Sequence, residues 1–463
     1  MSTPTSPTPP SNAPGAAPVA APSPPAGKGE VRAWALYDLA NQSFTLLINT
    51  LLFPIYFKLV IVPAASGQVG AGSASTQGES LWGLLVAGSL LIVAFGSPLV
   101  GAWADIHAGK KFAMTVSTII CISGTLGLAF VPPGSIALAA GVYILAAVAF
   151  AFGENFLASF LPEISDRRSI ARISAFGWTM GYAGALALLI LTAAGMALFK
   201  TSDPASWRPY FIFAGLWYLV MALPCLVLLR ERAKPTALPP GVGLVRSVHQ
   251  RMMASIRTAS SNVQLLRFLG VFFVYAMGVQ TFIFFAAILA ESFGFRGTRL
   301  VLFLLPTTIT AGVGAALAPM LQRRLGHRST IHIFLGVWLA TCIGLLWLTR
   351  ATAANPGSHA WLLWTVAAFM GLALGGIGTA SRAIVGAFTP PARTAEVFGL
   401  WGLVYRLAAV VGVGAFGLVR SASAQGAVWM LVGFFAAAAL LLLLVSESKG
   451  LRESRPGSAN DRP

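Results

Sequence analysis

Gly101-Ala-Trp-Ala-Asp105-Ile-His-Ala-Gly109-Lys110-Lys111 lies between two long apolar runs. It gathers a carboxylate, two glycines and two lysines into one short stretch. An apolar run of about 20 residues is what a helix needs to cross a bilayer. The stretch therefore reads as a tight turn at a membrane surface, and it fixes which way the flanking helices run.

The rest of the chain agrees. Of 463 residues, 56% are hydrophobic and 10% charged, where an ordinary soluble protein carries roughly 25% charged. The apolar segments are continuous, unlike the alternating ~10-residue pattern of a transmembrane barrel. The class is an all-α membrane protein. Twelve transmembrane helices are expected near 34–58, 81–103, 112–131, 136–160, 173–198, 209–229, 266–291, 299–321, 330–349, 360–388, 396–419 and 427–445.

This gives a domain reading. Residues 1–29 form a Pro/Ala-rich tail that cannot bury a core and is expected to be disordered. It has no basic start or apolar stretch and so is not a signal peptide. Residues 30–229 are a first six-helix bundle, 230–265 a basic linker, 266–445 a second six-helix bundle, and 446–463 a tail.

The net charge of +17 invites a nucleic-acid reading. Its distribution argues for a membrane one. With the N-terminus placed inside, Lys58, Lys200, Arg208, Arg296, Arg299, Arg350 and Arg420 fall outside, seven of the 31 basic residues. Arg382 and Arg406 fall within spans, and the remaining 22 fall inside. Basic residues collect in cytoplasmic loops, so both termini and the linker read as cytoplasmic and no nucleic-acid partner is implied.

Cys121, Cys225 and Cys342 all lie in apolar runs, and His107, His249, His327, His332 and His359 are scattered. Neither set has metal-ligand spacing. No P-loop and no catalytic Ser/His or Cys/His set occurs, so no metal, cofactor or enzymatic activity is expected.

The two halves repeat weakly. Asp105 is followed by Gly109 and Lys110-Lys111, and Gln322 by Gly326 and His327-Arg328. Gln42-Ser43-Phe44 matches Gln280-Thr281-Phe282, and Phe176-Gly177 matches Phe398-Gly399. Parallel six-helix repeats of this kind build secondary transporters.

Gly101-x-x-x-Asp105-x-x-x-Gly109-Lys110-Lys111 resembles the signature loop of the major facilitator superfamily. The resemblance implies twelve helices in two bundles, alternating access, and a loop that latches the halves together. Its Asp105 is expected to accept from backbone N–H groups at a helix N-terminus. A narrower resemblance, over about 31–445, is to the UMF1 family, bacterial relatives of the autophagy-related vacuolar effluxers. It rests on Trp34-Ala-Leu-Tyr37-Asp38-Leu-Ala40-Asn41, Leu161-Pro162-Glu163-Ile164, Gly181-Tyr182-x-Gly184, Ser381-Arg382 and Glu396-x-Phe398-Gly399. The chain departs from that pattern at Gln42, Tyr405 and Val413. The resemblance implies a small metabolite as substrate, amino acid-like compounds among the candidates, and efflux.

Two acids, Asp38 and Glu154, are read as lying well inside spans, where charge is costly and marks a wet cavity or a partner. The superfamily lines its cavity with helices 1, 4, 7 and 10. Asp38 and Asn41 fall on the first, Glu154 and Asn155 on the fourth, Gln280 on the seventh and Arg382 on the tenth, with Arg406 on the eleventh. Matching Phe160-Leu161-Pro162 to Phe388-Thr389-Pro390 sets Glu154 opposite Arg382. Two uses stay open for them: a gate pair, or substrate and proton binding. The glycine runs 177–184, 371–378 and 412–417 read as helix-packing faces. The reading is a monomeric, proton-coupled secondary transporter, of the cell inner (plasma) membrane if the chain is bacterial. Its rivals are a drug or lipid exporter of the same fold and a non-transporting sensor or scaffold.

Overall fold

The computed structural model describes residues 26–65, 72–166, 169–233, 235, 243–354, 360–389 and 393–454. The tail to residue 25, Arg167, Arg168, Lys234, His359, Arg455 and Arg462 lie outside the described residues.

Twelve helices are long and apolar enough to cross a membrane. They are α1 Lys28–Ala65, α2 Thr76–His107, α3 Lys110–Leu128, α4 Ile136–Ile164, α5 Arg172–Leu198, α6 Arg208–Leu228, α7 Val263–Ser292, α8 Gly297–Leu325, α9 His327–Ala351, α10 Trp361–Phe388, α11 Glu396–Ala422 and α12 Ala424–Leu444. Among the described residues there is no strand. An extra amphipathic helix, Leu244–Ser261, occupies the linker and leans on α2 and α11. The end of the molecule that carries it is here the linker end, and the opposite end is the distal end.

Burial separates the helices by role. The apolar windows of α1 and α7 are 83% buried within the protein, against 33–50% for the other ten. A helix apolar all round must be surrounded by protein or lipid. These two are surrounded by protein, while the others turn residues such as Phe95, Phe112, Ile119 and Trp361 outward. The halves meet where α2 lies on α11, α5 on α8 and α1 on α7. Gly83 and Gly417 let α2 and α11 approach closely: a Cβ built on Gly83 comes within 2.8 Å of the Gly417 Cα. In the second half Gly371 and Gly375 sit against the carbonyls of Thr307 and Ala311 on α8. Gly378 faces open space, so the packing reading of that run does not extend to it.

α1 is not a regular helix. Ser43–Leu51 and Phe57–Ile61 are wound as wider π-helical turns around Pro54. Proline lacks an N–H and crowds the preceding turn, and π turns accommodate such a mismatch and gather at functional sites. Thr50 Oγ1 caps the widened turn by donating to the Thr45 carbonyl at 3.0 Å.

The signature loop is followed by a cap that comes from far along the chain. The carboxylate that receives the N–H groups of Lys110 and Lys111 at the start of α3 belongs to Glu231, at 2.9 and 3.0 Å. Asp105 lies 3.8 Å from Lys110 Nζ with a half-exposed side chain. Glu231 follows α6, and its carboxylate meets the positive end of the α3 dipole. Around Glu231, Glu30 holds Arg232 through two contacts of 2.7 Å, and Glu163 binds Lys110 Nζ and the Arg232 N–H.

Candidate functional site

The first four predicted residues converge. Asp38 and Asn41 stand one turn apart on α1, so they share a face. Gly177 on α5 makes room for the acid, since a Cβ there would lie 2.5 Å from Asp38 Oδ2. Asn41 is 1% exposed. Its Oδ1 accepts from Tyr218 Oη at 2.7 Å and its Nδ2 donates to Glu154 Oε1 at 3.4 Å. Asp38 and Arg406 are the charged side chains whose fields reach Glu154.

Next to Glu154, Asn155 turns the other way. Its Nδ2 donates to Ser97 Oγ of α2 at 3.0 Å, and its Oδ1 accepts from Arg406 Nη2. Arg406 Nη1 also donates to Ser97 at 3.3 Å. Arg406 thus reaches from α11 across the interface to α2 and α4. A buried guanidinium needs such acceptors because an unpaired charge in an apolar setting is costly.

Arg382 is placed differently. Its guanidinium lies over the Trp178 ring at 5.3 Å and the Trp401 ring at 6.0 Å. Cations over indole faces are held electrostatically without a carboxylate. Among the described residues no ion pair joins Arg382 to Glu154, and both are exposed. Nearby, the Trp401 indole N–H is buried without a partner. Gln280 is 7% exposed in α7, and none of the described hydrogen bonds ties it to this cluster.

The distal end holds charges that sequence reasoning missed. Lys58 Nζ lies 2.9 Å from Glu79 Oε1 and 2.6 Å from Glu291 Oε2, and Arg420 Nε lies 3.0 Å from Glu79 Oε2. The four side chains are 3–10% exposed. Lys58 and Glu79 come from the first half, Glu291 and Arg420 from the second, so two of the three links cross the interface. Trp82 Nε1 adds a crossing bond to the Phe284 carbonyl at 3.0 Å. The quartet floors a polar depression of about 480 Å³ on the distal face. Glu79, outside the spans expected from the sequence, is thus a buried acid within α2. The usable signal was two acids and two bases at the distal ends of spans 1, 2, 7 and 11. The molecule is therefore tied shut at the distal end, while Glu154 and Arg382 stay exposed nearer the linker end.

Comparison with known proteins agrees with the fold. The chain is similar to the D-xylose-proton symporter, with a TM-score of 0.68 and 16% identity over 91% of this chain and 98% of that one. It also resembles a bacterial homologue of the human lysosomal transporter Spinster in an inward-facing, unoccupied conformation, with a TM-score of 0.64 and 14% identity over 93% of this chain and 98% of that one. At such identities the likeness concerns the fold. An uncharacterized MFS-type transporter of Bacillus subtilis (strain 168), YxiO, is 22% identical over 93% of this chain and 97% of its own. Autophagy-related protein 22 of Botryotinia fuckeliana is 26% identical over 57% of this chain, which spans about half (47%) of that protein. The family described as vacuole effluxer Atg22 like matches residues 26–455, and the chain belongs to that family, as an MFS-type membrane transporter.

Proposed function

We propose that the protein is a secondary active transporter that moves a small metabolite by alternating access, coupled to protons and working in the direction of export. The carrying observation is the asymmetric closure: a buried quartet ties the halves at the distal end, while Asp38, Glu154 and Arg382 face accessible space between them. With the linker end in the cytoplasm, as the basic residues favour, this arrangement is inward-open. Glu154 and Asp38 are the proton sites. Arg382, set between two indoles beside the free Trp401 N–H, is the group that receives an anionic part of the substrate. The Glu154–Arg382 gate pair belongs to the opposite state, when the linker end closes. For a bacterial chain the membrane is the cell's own inner (plasma) membrane.

The test is flux. Purified protein in proteoliposomes is loaded with a labelled metabolite extract, with and without an inside-acid or inside-alkaline gradient. At least one compound should redistribute with the gradient, and Glu154→Gln should abolish the gradient dependence. Gradient-independent flux in the wild type overturns the coupling, and no flux of any compound favours the scaffold reading.

A further inference from the structure

A chain of buried hydrogen bonds leads away from Glu154 and has no part in the reading above. Tyr218 Oη lies 2.7 Å from Asn41 Oδ1 and 3.3 Å from Tyr37 Oη. Tyr37 Oη bonds Thr118 Oγ1, which donates to the Met114 carbonyl at 2.7 Å. Tyr37, Tyr218, Asn41 and Thr118 are all 0–1% exposed, so no bulk water competes for these groups. Gly153, beside Glu154, leaves the space: a Cβ there would sit 3.0 Å from Tyr37 Oη.

Counting protons along the chain fixes its directions. The Met114 carbonyl can only accept, so Thr118 donates to it and Tyr37 donates to Thr118. Tyr218 has a single proton. If it goes to Asn41 Oδ1, the amide presents its NH₂ to Glu154, which must then accept, as a carboxylate does. If the amide turns over, its NH₂ donates to Tyr218 Oη, the Tyr218 proton goes to Tyr37 Oη, and Asn41 Oδ1 faces Glu154. That arrangement needs a donor on Glu154, which a protonated carboxyl supplies. The same atoms thus satisfy both forms of Glu154, by one amide reversal and one hydroxyl rotation. The two amide orientations are nearly the same shape, so the reversal needs no repacking. No proton travels along the chain. It is taken up from and returned to the cavity.

We infer that Asn41, set by Tyr218 and Tyr37, is a positioning residue that reverses with the protonation of Glu154, keeping both states of the proton site fully bonded. The inference rests on the proposed proton role of Glu154. The other titratable or charged groups facing Glu154 are Asp38 from α1, Arg406 from α11 and the Cys121 thiol from α3. Arg406 is already engaged by Asn155 and Ser97. Without the reversal the protonated carboxyl would still accept from the amide NH₂ through its carbonyl oxygen, but its O–H would find no acceptor on Asn41.

Infrared difference spectra of the full chain in lipid nanodiscs, taken between high and low pH, test this without a known substrate. A carboxyl C=O band that appears on acidification and is lost in Glu154→Gln reports the proton. A tyrosine C–O band should move with it, because Tyr218 changes its partners, and should be lost in Tyr218→Phe, Asn41→Leu and Glu154→Gln. Ring-deuterated tyrosine assigns that band without a substitution, which keeps the test decisive where a variant does not fold. A Glu154 carboxyl band with an unmoved tyrosine band overturns the reversal and leaves the proton site standing. A tyrosine band that persists in Glu154→Gln also overturns it. Absence of the carboxyl band overturns both the reversal and the coupling.

Discussion

At the linker end the two halves are built alike. Glu231, just after α6, receives the first N–H groups of α3, and Glu447, just after α12, receives those of His327 and Arg328 on α9 at 3.0 and 3.1 Å. Glu30 at the start of α1 accepts from the Arg230 N–H, and Gln264 at the start of α7 accepts from the Ser446 N–H. Between the halves the likeness stops. Tyr37-Asp38-Leu39-Ala40-Asn41-Gln42-Ser43-Phe44 stands against Tyr275-Ala276-Met277-Gly278-Val279-Gln280-Thr281-Phe282. The aromatic and packing positions recur, but Asp38 and Asn41 have become Ala276 and Val279. The first half contributes the acids of the central cluster and the second contributes Arg382 and Arg406. The duplication thus supplies the frame, and the chemistry lies in the positions where the copies diverged.

The largest effect should come from breaking the distal quartet, where charges of both halves are sealed together. Glu79→Gln removes the carboxylate shared by Lys58 and Arg420. Taking one partner from a buried pair costs on the order of 3–5 kcal/mol, and here that cost falls on the distally closed arrangement alone. Spin labels at the distal ends of α2 and α11 should therefore show a shift to longer distances by pulsed electron resonance. Glu447→Gln, which touches only the linker end, should leave the distribution unchanged. An unmoved distribution in Glu79→Gln would reduce the quartet to ordinary packing.

How legible this was follows from where each partner sits. The spans and the six-plus-six division could be read because apolar length is a local property. The α1/α7 repeat could be read because Gln42-Ser43-Phe44 and Gln280-Thr281-Phe282 keep their order. The distal quartet could not. Each of its members ends an apolar run, where a charge looks like a headgroup contact, and the partners are 233 and 341 positions apart. The same distance hid the α3 cap. Nothing near Lys110 in sequence points to Glu231, which is 121 positions away. Asp38, Glu154 and Arg406 stood out in the sequence because charge within a membrane span is rare, Asn155 because it adjoins Glu154, and Asn41 because it closes the Trp34–Asn41 motif. Tyr37 and Tyr218, neutral and aromatic, gave no such signal.

Glycines sharpen the comparison at intermediate size. Gly375 in the second half meets backbone, the Ala311 carbonyl, whereas Gly177 in the first meets the side chains of Asp38 and Trp34. Backbone cannot step aside without moving a helix, and overpacking costs about 1–3 kcal/mol. Gly375→Ala should therefore lower the unfolding temperature more than Gly177→Ala. Gly177→Ala should instead disturb Asp38, and so flux, at nearly unchanged stability. Equal losses of stability in the two variants would mean that α5 packs on α1 as rigidly as α10 packs on α8.

The smallest effects test the likeness itself. Glu231 and Glu447 each accept two N–H groups at a helix start, and each is partly exposed. An N-terminal cap is worth about 1 kcal/mol, with a contribution from the helix dipole. Glu231→Gln keeps one acceptor oxygen and loses the charge, and Glu447→Gln does the same in the second half. Both should cost about 1 kcal/mol or less and agree to within a few tenths. Thermal unfolding in one detergent measures them side by side. A clear excess at Glu231 would assign the difference to its neighbours Glu30, Glu163, Lys110 and Arg232, a network with no charged counterpart among the described bonds around Glu447. The likeness of the caps would then be geometric without being energetic.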